Sequence, residues 1–153
     1  MKLIPNSGMA VTMDLGAEYF IHPPDKVTVG KRLAFWALAN AYQIRGLPFA
    51  SPVYHSKVIK NSHIILNFDN AQLGLTSHGK DLTTFKIAGA DNIFYPAKAK
   101  ITAEGIEVWN DQVKEPLNVR YAFNEWVVGE LYNVEGFPAS SFRTDSLKIR
   151  DNY

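Results

Sequence analysis

No cysteine occurs in the 153 residues, which excludes disulfides, thiolate zinc sites, iron–sulfur clusters and a cysteine nucleophile together. Charge imbalance is missing too. Sixteen Lys and Arg against fifteen Asp and Glu leave a formal net charge of +1, whereas a dedicated nucleic-acid binder shows a strong basic excess. No apolar run approaches the roughly 20 residues that carry a helix across a bilayer, so no membrane span is expected. The chain also lacks a glycine-rich phosphate loop, an internal repeat and a low-complexity tract. The opening Met1-Lys2-Leu3-Ile4-Pro5-Asn6 turns polar too soon to read as a signal peptide, and the missing cysteine leaves the compartment open. What remains is 46% hydrophobic, enough to bury a core and too much for intrinsic disorder.

Two segments of different character follow one another. In the first, Gly8 to Leu15 is mostly apolar and bounded by glycines, which predicts a short buried strand. A loop from Gly16 to Pro24 holds Glu18, Tyr19, Phe20 and His22. Pro23-Pro24-Asp25 then reads as a helix start. Val29, Leu33, Trp36, Ala37, Ala41 and Ile44 recur at spacings of three and four through Arg45, with Lys26, Lys31 and Arg32 expected on the outer surface. Arg45-Gly46 and Pro48 read as its stop. From about Ala50 the pattern changes to period two. Ile64, Leu66 and Phe68 share one face, Ile106 and Val108 alternate with Glu107 and Trp109, and Leu117, Val119, Tyr121 and Phe123 share another. Turn signals at 60–62, 78–81, 90–92 and 104–105 separate these runs. The fold class is therefore mainly β with one long helix: an antiparallel β-sandwich over 50–145, a partial α/β segment over 1–49, and a tail over 146–153. One strand and one helix cannot close a layer, so the first segment reads as the end of an α/β unit, with the sandwich as the other possible source of neighbours. Leu33, Trp36 and Ala37 would then pack on the absent sheet or on the sandwich, and oligomerisation is the other way to cover them.

His22 sits between a strand end and a helix start, where α/β folds gather catalytic groups. The plainer alternative is a loop histidine that merely bonds a backbone group. His55, His63 and His78 fall on separate elements without metal-ligand spacing, so no metal or other cofactor is expected. Trp109, Tyr121, Phe123 and Trp126 could form a stacking platform for sugars, with Trp109 and Trp126 as the candidate substrate-binding residues. The simpler reading for the group is core or interdomain packing. Lys98, Lys100 and Lys114 are scattered, as on a solvated face.

Taken in order, Gly8-Met9-Ala10-Val11-Thr12-Met13-Asp14-Leu15-Gly16, Ile21-His22-Pro23-Pro24-Asp25-Lys26 and Val29-Gly30-Lys31-Arg32-Leu33-Ala34 resemble the sialate O-acetylesterases, carbohydrate esterases of the SGNH-hydrolase type. The likeness continues through Phe85-Lys86-Ile87-Ala88-Gly89-Ala90-Asp91, Pro96-Ala97-Lys98-Ala99, Val119-Arg120-Tyr121-Ala122 and Leu131-Tyr132-Asn133-Val134-Glu135-Gly136-Phe137-Pro138-Ala139-Ser140, covering nearly the whole chain. The resemblance implies a serine hydrolase that removes acetyl groups from sugar hydroxyls, typically on 9-O-acetyl sialic acid, in a periplasmic or secreted setting. His22 matches the family's catalytic histidine, general base toward the serine and then general acid toward the departing sugar oxygen. The position three residues before it, where such enzymes commonly carry an acid, is Tyr19, which leaves Glu18 or Asp14 as the orienting acid. The Gly-Asp-Ser-type nucleophile turn and the oxyanion-hole blocks have no counterpart in the sequence, and Ser7 precedes a strand instead of following one. The expectation is a chain that carries the histidine without the serine and is inactive alone. Its partners would be an acetylated sialic acid or related sugar, and the missing catalytic half or a second copy. The alternative is a non-catalytic carbohydrate-binding or accessory sandwich module.

Overall fold

The computed structural model describes residues 4, 5, 7–22 and 24–146. One helix and ten strands follow in chain order: α1 Lys26–Asn40, β1 Val53–Lys60, β2 His63–Asp69, β3 Leu75–Thr76, β4 Phe85–Ala88, β5 Tyr95–Pro96, β6 Lys98–Thr102, β7 Gly105–Trp109, β8 Asn118–Tyr121, β9 Tyr132–Asn133 and β10 Phe142–Arg143. Two four-stranded antiparallel sheets, ordered β1-β2-β7-β6 and β10-β8-β4-β5, are joined by a small β3-β9 pair. The mainly-β architecture with one helix is the one the periodicity predicts.

The alternation works as the pleat requires. Ile64 and Leu66 face inward opposite Val108 and Ile106, and these four join Phe85, Ile87, Val119 and Tyr121 of the other sheet in one core. Asn61-Ser62 turns β1 into β2, with Lys60 opposite His63 and Asn61 in the left-handed region at φ 56°. Gly105 opens β7 at φ 132°, and a Cβ there would stand 2.2 Å from the Leu66 carbonyl oxygen, so only glycine fits. Inside this frame, polar groups are satisfied in pairs. The Tyr121 hydroxyl accepts from the Glu130 and Leu131 N–H groups, both at 2.9 Å. Asn133 donates to the Ala50 and Asn70 carbonyls and accepts from Phe137 N–H. Lys57 reaches from β1 to the Leu117 carbonyl and to Asn118 Oδ1 at 3.1 Å, latching the two sheets; burial lowers its pKa.

Four expectations need correction. Gly8–Leu15 forms no strand among the described residues; it runs extended and turns at Leu15 N–H to Thr12 carbonyl, 3.1 Å. The helix stops at Asn40, not Arg45, because Gln43 turns left-handed at φ 55°, a stop that carries no glycine signal. Arg32, expected outside, is the helix's buried residue at 7% exposure, while Leu33 is 53% exposed. Arg32 thus shares the inward stripe with half-buried Val29 and Trp36, three and four residues away. Phe123 and Leu117 do not share the burial of Val119 and Tyr121: Ala122 at φ 48° ends the alternation before Phe123, and Leu117 lies ahead of β8, which starts at Asn118. After β10 the chain is held to the sandwich. Asp145 pairs with Arg120 (2.8 Å) and with Arg143, and Arg120 also lies over the Phe94 ring at 3.9 Å. Of the expected tail over 146–153, all but Ser146 lies outside the described residues.

Tyr121→Phe keeps the ring and strips the shared acceptor from two buried N–H groups. It is expected to lower stability by about 2 kcal/mol, read as a lower denaturant midpoint at unchanged slope. Arg120 and Arg143 hold the Asp145 carboxyl down to about 2 from an ordinary 3.8. Its stabilisation is thus complete above about pH 4 and disappears as pH falls toward 2. Acid titrations of unfolding are expected to be flatter over that window in Asp145→Asn than in the parent chain.

Candidate active site

The loop that bears His22 leaves the Thr12–Leu15 turn and closes on itself through Phe20 N–H to the Ala17 carbonyl, 3.1 Å. It then enters α1, where Asp25 caps the helix by accepting from Thr28 N–H at 2.9 Å. His22 itself is exposed, and no described residue hydrogen-bonds its ring. Exposed beside it in sequence are Tyr19 (88%), Phe20 (73%) and Ile21 (89%). Val27 and Leu33 of α1 and Tyr42 and Ile44 just beyond it are exposed as well.

Behind the loop the segment is anchored firmly. Arg32 donates Nη1 to Asp14 Oδ1 and Nη2 to Asp14 Oδ2, both 2.7 Å, and Nη1 also to the Val11 carbonyl at 2.7 Å. Both oxygens of Asp14 are thus engaged by a guanidinium, whereas Glu18 is exposed on the loop. Of the two candidate orienting acids, Glu18 alone has a carboxylate with no partner among the described residues. Met13 fastens this turn to the sandwich, its carbonyl accepting from Gly129 N–H at 2.9 Å. Phe35 meets Phe137 edge-on at 6.4 Å, and Trp36 lies so close to Gly8 that a Cβ there would fall 2.0 Å from the indole. Arg32 is the residue that sequence reading missed. Its spacing of three from Val29 and four from Trp36 places it on the buried stripe, and Asp14 is the partner its charge requires.

The other candidates lie elsewhere. Trp109 sits on the outward face of β7, with His63 stacked on the indole at 5.2 Å and 7° and the Lys100 ammonium over the ring at 5.4 Å. His63 Nδ1 also lies 2.7 Å from Glu107 Oε1. Lys100 pairs with Glu107 at 2.7 Å, and Lys100 first, then His63, holds that carboxyl below its ordinary value. The indole is thus contacted from both neighbouring strands, β2 and β6, and remains half-buried. Trp126 is exposed in the loop after β8, apart from Trp109 on β7. His55 stands 3.1 Å from Asp69, and His78 packs on Tyr132. Among the described residues no group of three or more metal-ligating side chains converges.

No protein-family model matches the chain. No curated protein matches it either. Among solved structures it is similar to the crystal structure of a novel carbohydrate acetylesterase from Xanthomonas citri, at 37% identity and a TM-score of 0.83 over 90% of this chain. The match spans 32% of that protein's length.

Because Tyr19, Phe20 and Ile21 are bare, replacing all three by serine is expected to change stability by no more than about 0.5 kcal/mol. The same change should remove most of the chain's binding of an apolar dye such as ANS. Retention of full dye fluorescence by the triple variant would place the sticky surface elsewhere.

Proposed function

We propose that this chain is part of a carbohydrate O-acetylesterase of the SGNH type, similar to the sialate 9-O-acetylesterases. Residues 1–49 supply its histidine loop and a helix, and residues 50–145 an attached β-sandwich. The observation that carries this reading is the 37% identity and close superposition with an acetylesterase over 90% of the chain. The position of His22 agrees with it: the imidazole is open, unpartnered among described residues, and edged by apolar side chains suited to packing on another protein surface.

In the proposed reaction, a serine hydroxyl on the hydrolase portion outside this chain attacks the acetyl carbonyl while His22 takes its proton. His22 then protonates the departing sugar oxygen, leaving an acetyl-enzyme, and activates the water that releases acetate. Glu18 is the carboxylate proposed to orient the imidazole. The apolar rim from Tyr19 to Leu33 would be covered by the serine-bearing portion, which brings the two halves of the constellation within reach. An accessory carbohydrate-binding role draws no support from Trp109, whose indole is already flanked by His63 and Lys100.

Offered a 9-O-acetylated sialoside alone, the chain is expected to release no acetate. Joined to, or mixed with, a Gly-Asp-Ser-bearing hydrolase portion, it is expected to turn over, and His22→Ala should then lower kcat by roughly 10³-fold or more. Turnover by the isolated chain that survives His22→Ala would sink the reading. A comparison of the sialoside with other O-acetylated sugars tests the substrate class.

A further inference from the structure

We infer that Arg32 and Asp14 are positioning residues for His22: their buried fork fixes the base of the loop that presents the imidazole. The inference rests on the role proposed above for His22. Between the Thr12–Leu15 turn and the helix, the described backbone makes only local bonds, Phe20 N–H to Ala17 and Lys26 N–H to Pro24 at 3.0 Å. Such bonds shape the loop without tying it to anything. The fork does tie it. Arg32 lies in the second turn of α1, ten residues after His22, and Asp14 lies eight residues before it. Three hydrogen bonds of 2.7 Å join the two ends.

The geometry of the fork is hard to relax. A planar guanidinium on a carboxylate fixes orientation as well as distance, which an ammonium cannot do. Neither charge can swing into water, since Arg32 is 7% exposed and the Asp14 side chain 13%. One residue away, Met13 is hydrogen-bonded to Gly129. A continuous mechanical path thus runs from the sandwich through Met13 and Asp14 to Arg32, and from both into the loop. With both its oxygens engaged by Arg32, Asp14 acts on the imidazole only through the backbone.

The test uses Arg32→Lys, Asp14→Asn and the double variant, first in the chain alone. Backbone order parameters of Glu18, Phe20 and Ile21 are expected to fall below about 0.6 in each variant, while amides of Ile64, Val108 and Val119 keep their native shifts. In the assembly with a serine-bearing portion, kcat is expected to drop about 10- to 100-fold at unchanged KM. The double variant should be no worse than the poorer single. The acidic limb of the pH dependence of kcat/KM should stay in place, because neither residue contacts the imidazole. A shifted limb in Asp14→Asn would make Asp14 the orienting acid and overturn the inference. So would an unchanged loop in Arg32→Lys, or loss of the native shifts of Ile64, Val108 and Val119 together with the loop. A loosened loop with unchanged kcat overturns it differently, by removing His22 from the reaction.

Discussion

A guanidinium buried against a carboxylate is the interaction on which the functional end of this molecule depends. Removing such a charge from water costs several kcal/mol unless a partner of good geometry and further hydrogen bonds compensate. Here Arg32 has both, in the two oxygens of Asp14 and the carbonyl of Val11. The compensation is local, but its consequence is not. Once the fork is made, the extended segment 8–14 and the helix cannot move independently, and the histidine loop strung between them inherits their spacing. Losing one partner would strand the other's charge, which is why this pair behaves as a unit.

The two portions of the chain are finished to different degrees. The core of the sandwich draws its buried members from Ile64 to Ala139, out of both large sheets, and the side chains of Tyr121 and Asn133 hydrogen-bond backbone groups within it. The helical portion places one buried apolar residue, Val11, and one buried ion pair against that frame. It otherwise leans on Phe137 and Gly8 through Phe35 and Trp36, while Val27, Leu33, Tyr42 and Ile44 face outward. Val27 and Leu33 thus leave α1 with apolar side chains exposed, in a chain that spans 32% of the length of the acetylesterase it resembles.

The strands were legible in the sequence because burial on one face of a sheet imposes period two directly. Ile64, Leu66, Ile106 and Val108 land where alternation puts them. Where alternation failed, a single left-handed residue was responsible: Ala122 ends β8 before Phe123, and Gln43 lies beyond the early end of the helix. Neither carries a glycine or asparagine that would announce it. The extended segment 8–15 has the composition of a strand but no strand beside it, and composition cannot supply a hydrogen-bonding neighbour. The site was legible in part. Motif order marked His22, which the structure leaves exposed in the loop before α1. Arg32 was assigned to the surface on charge, although its helical spacing already aligned it with Val29 and Trp36. Charge and position disagreed, and position decided, because a carboxylate was waiting eighteen residues earlier.

That resolution bears on why a β-sandwich should accompany a histidine loop at all. A catalytic imidazole must be held within a fraction of an ångström of its working position, and loops hold poorly unless something rigid stands behind them. Behind this one stands the turn at Met13, bonded to Gly129, which precedes the two N–H groups gathered by the Tyr121 hydroxyl. From the centre of the core to the base of the loop there is thus an unbroken run of short, satisfied contacts. The sandwich pairs Trp109 with His63 and Lys100, and its rigidity is what it offers the loop.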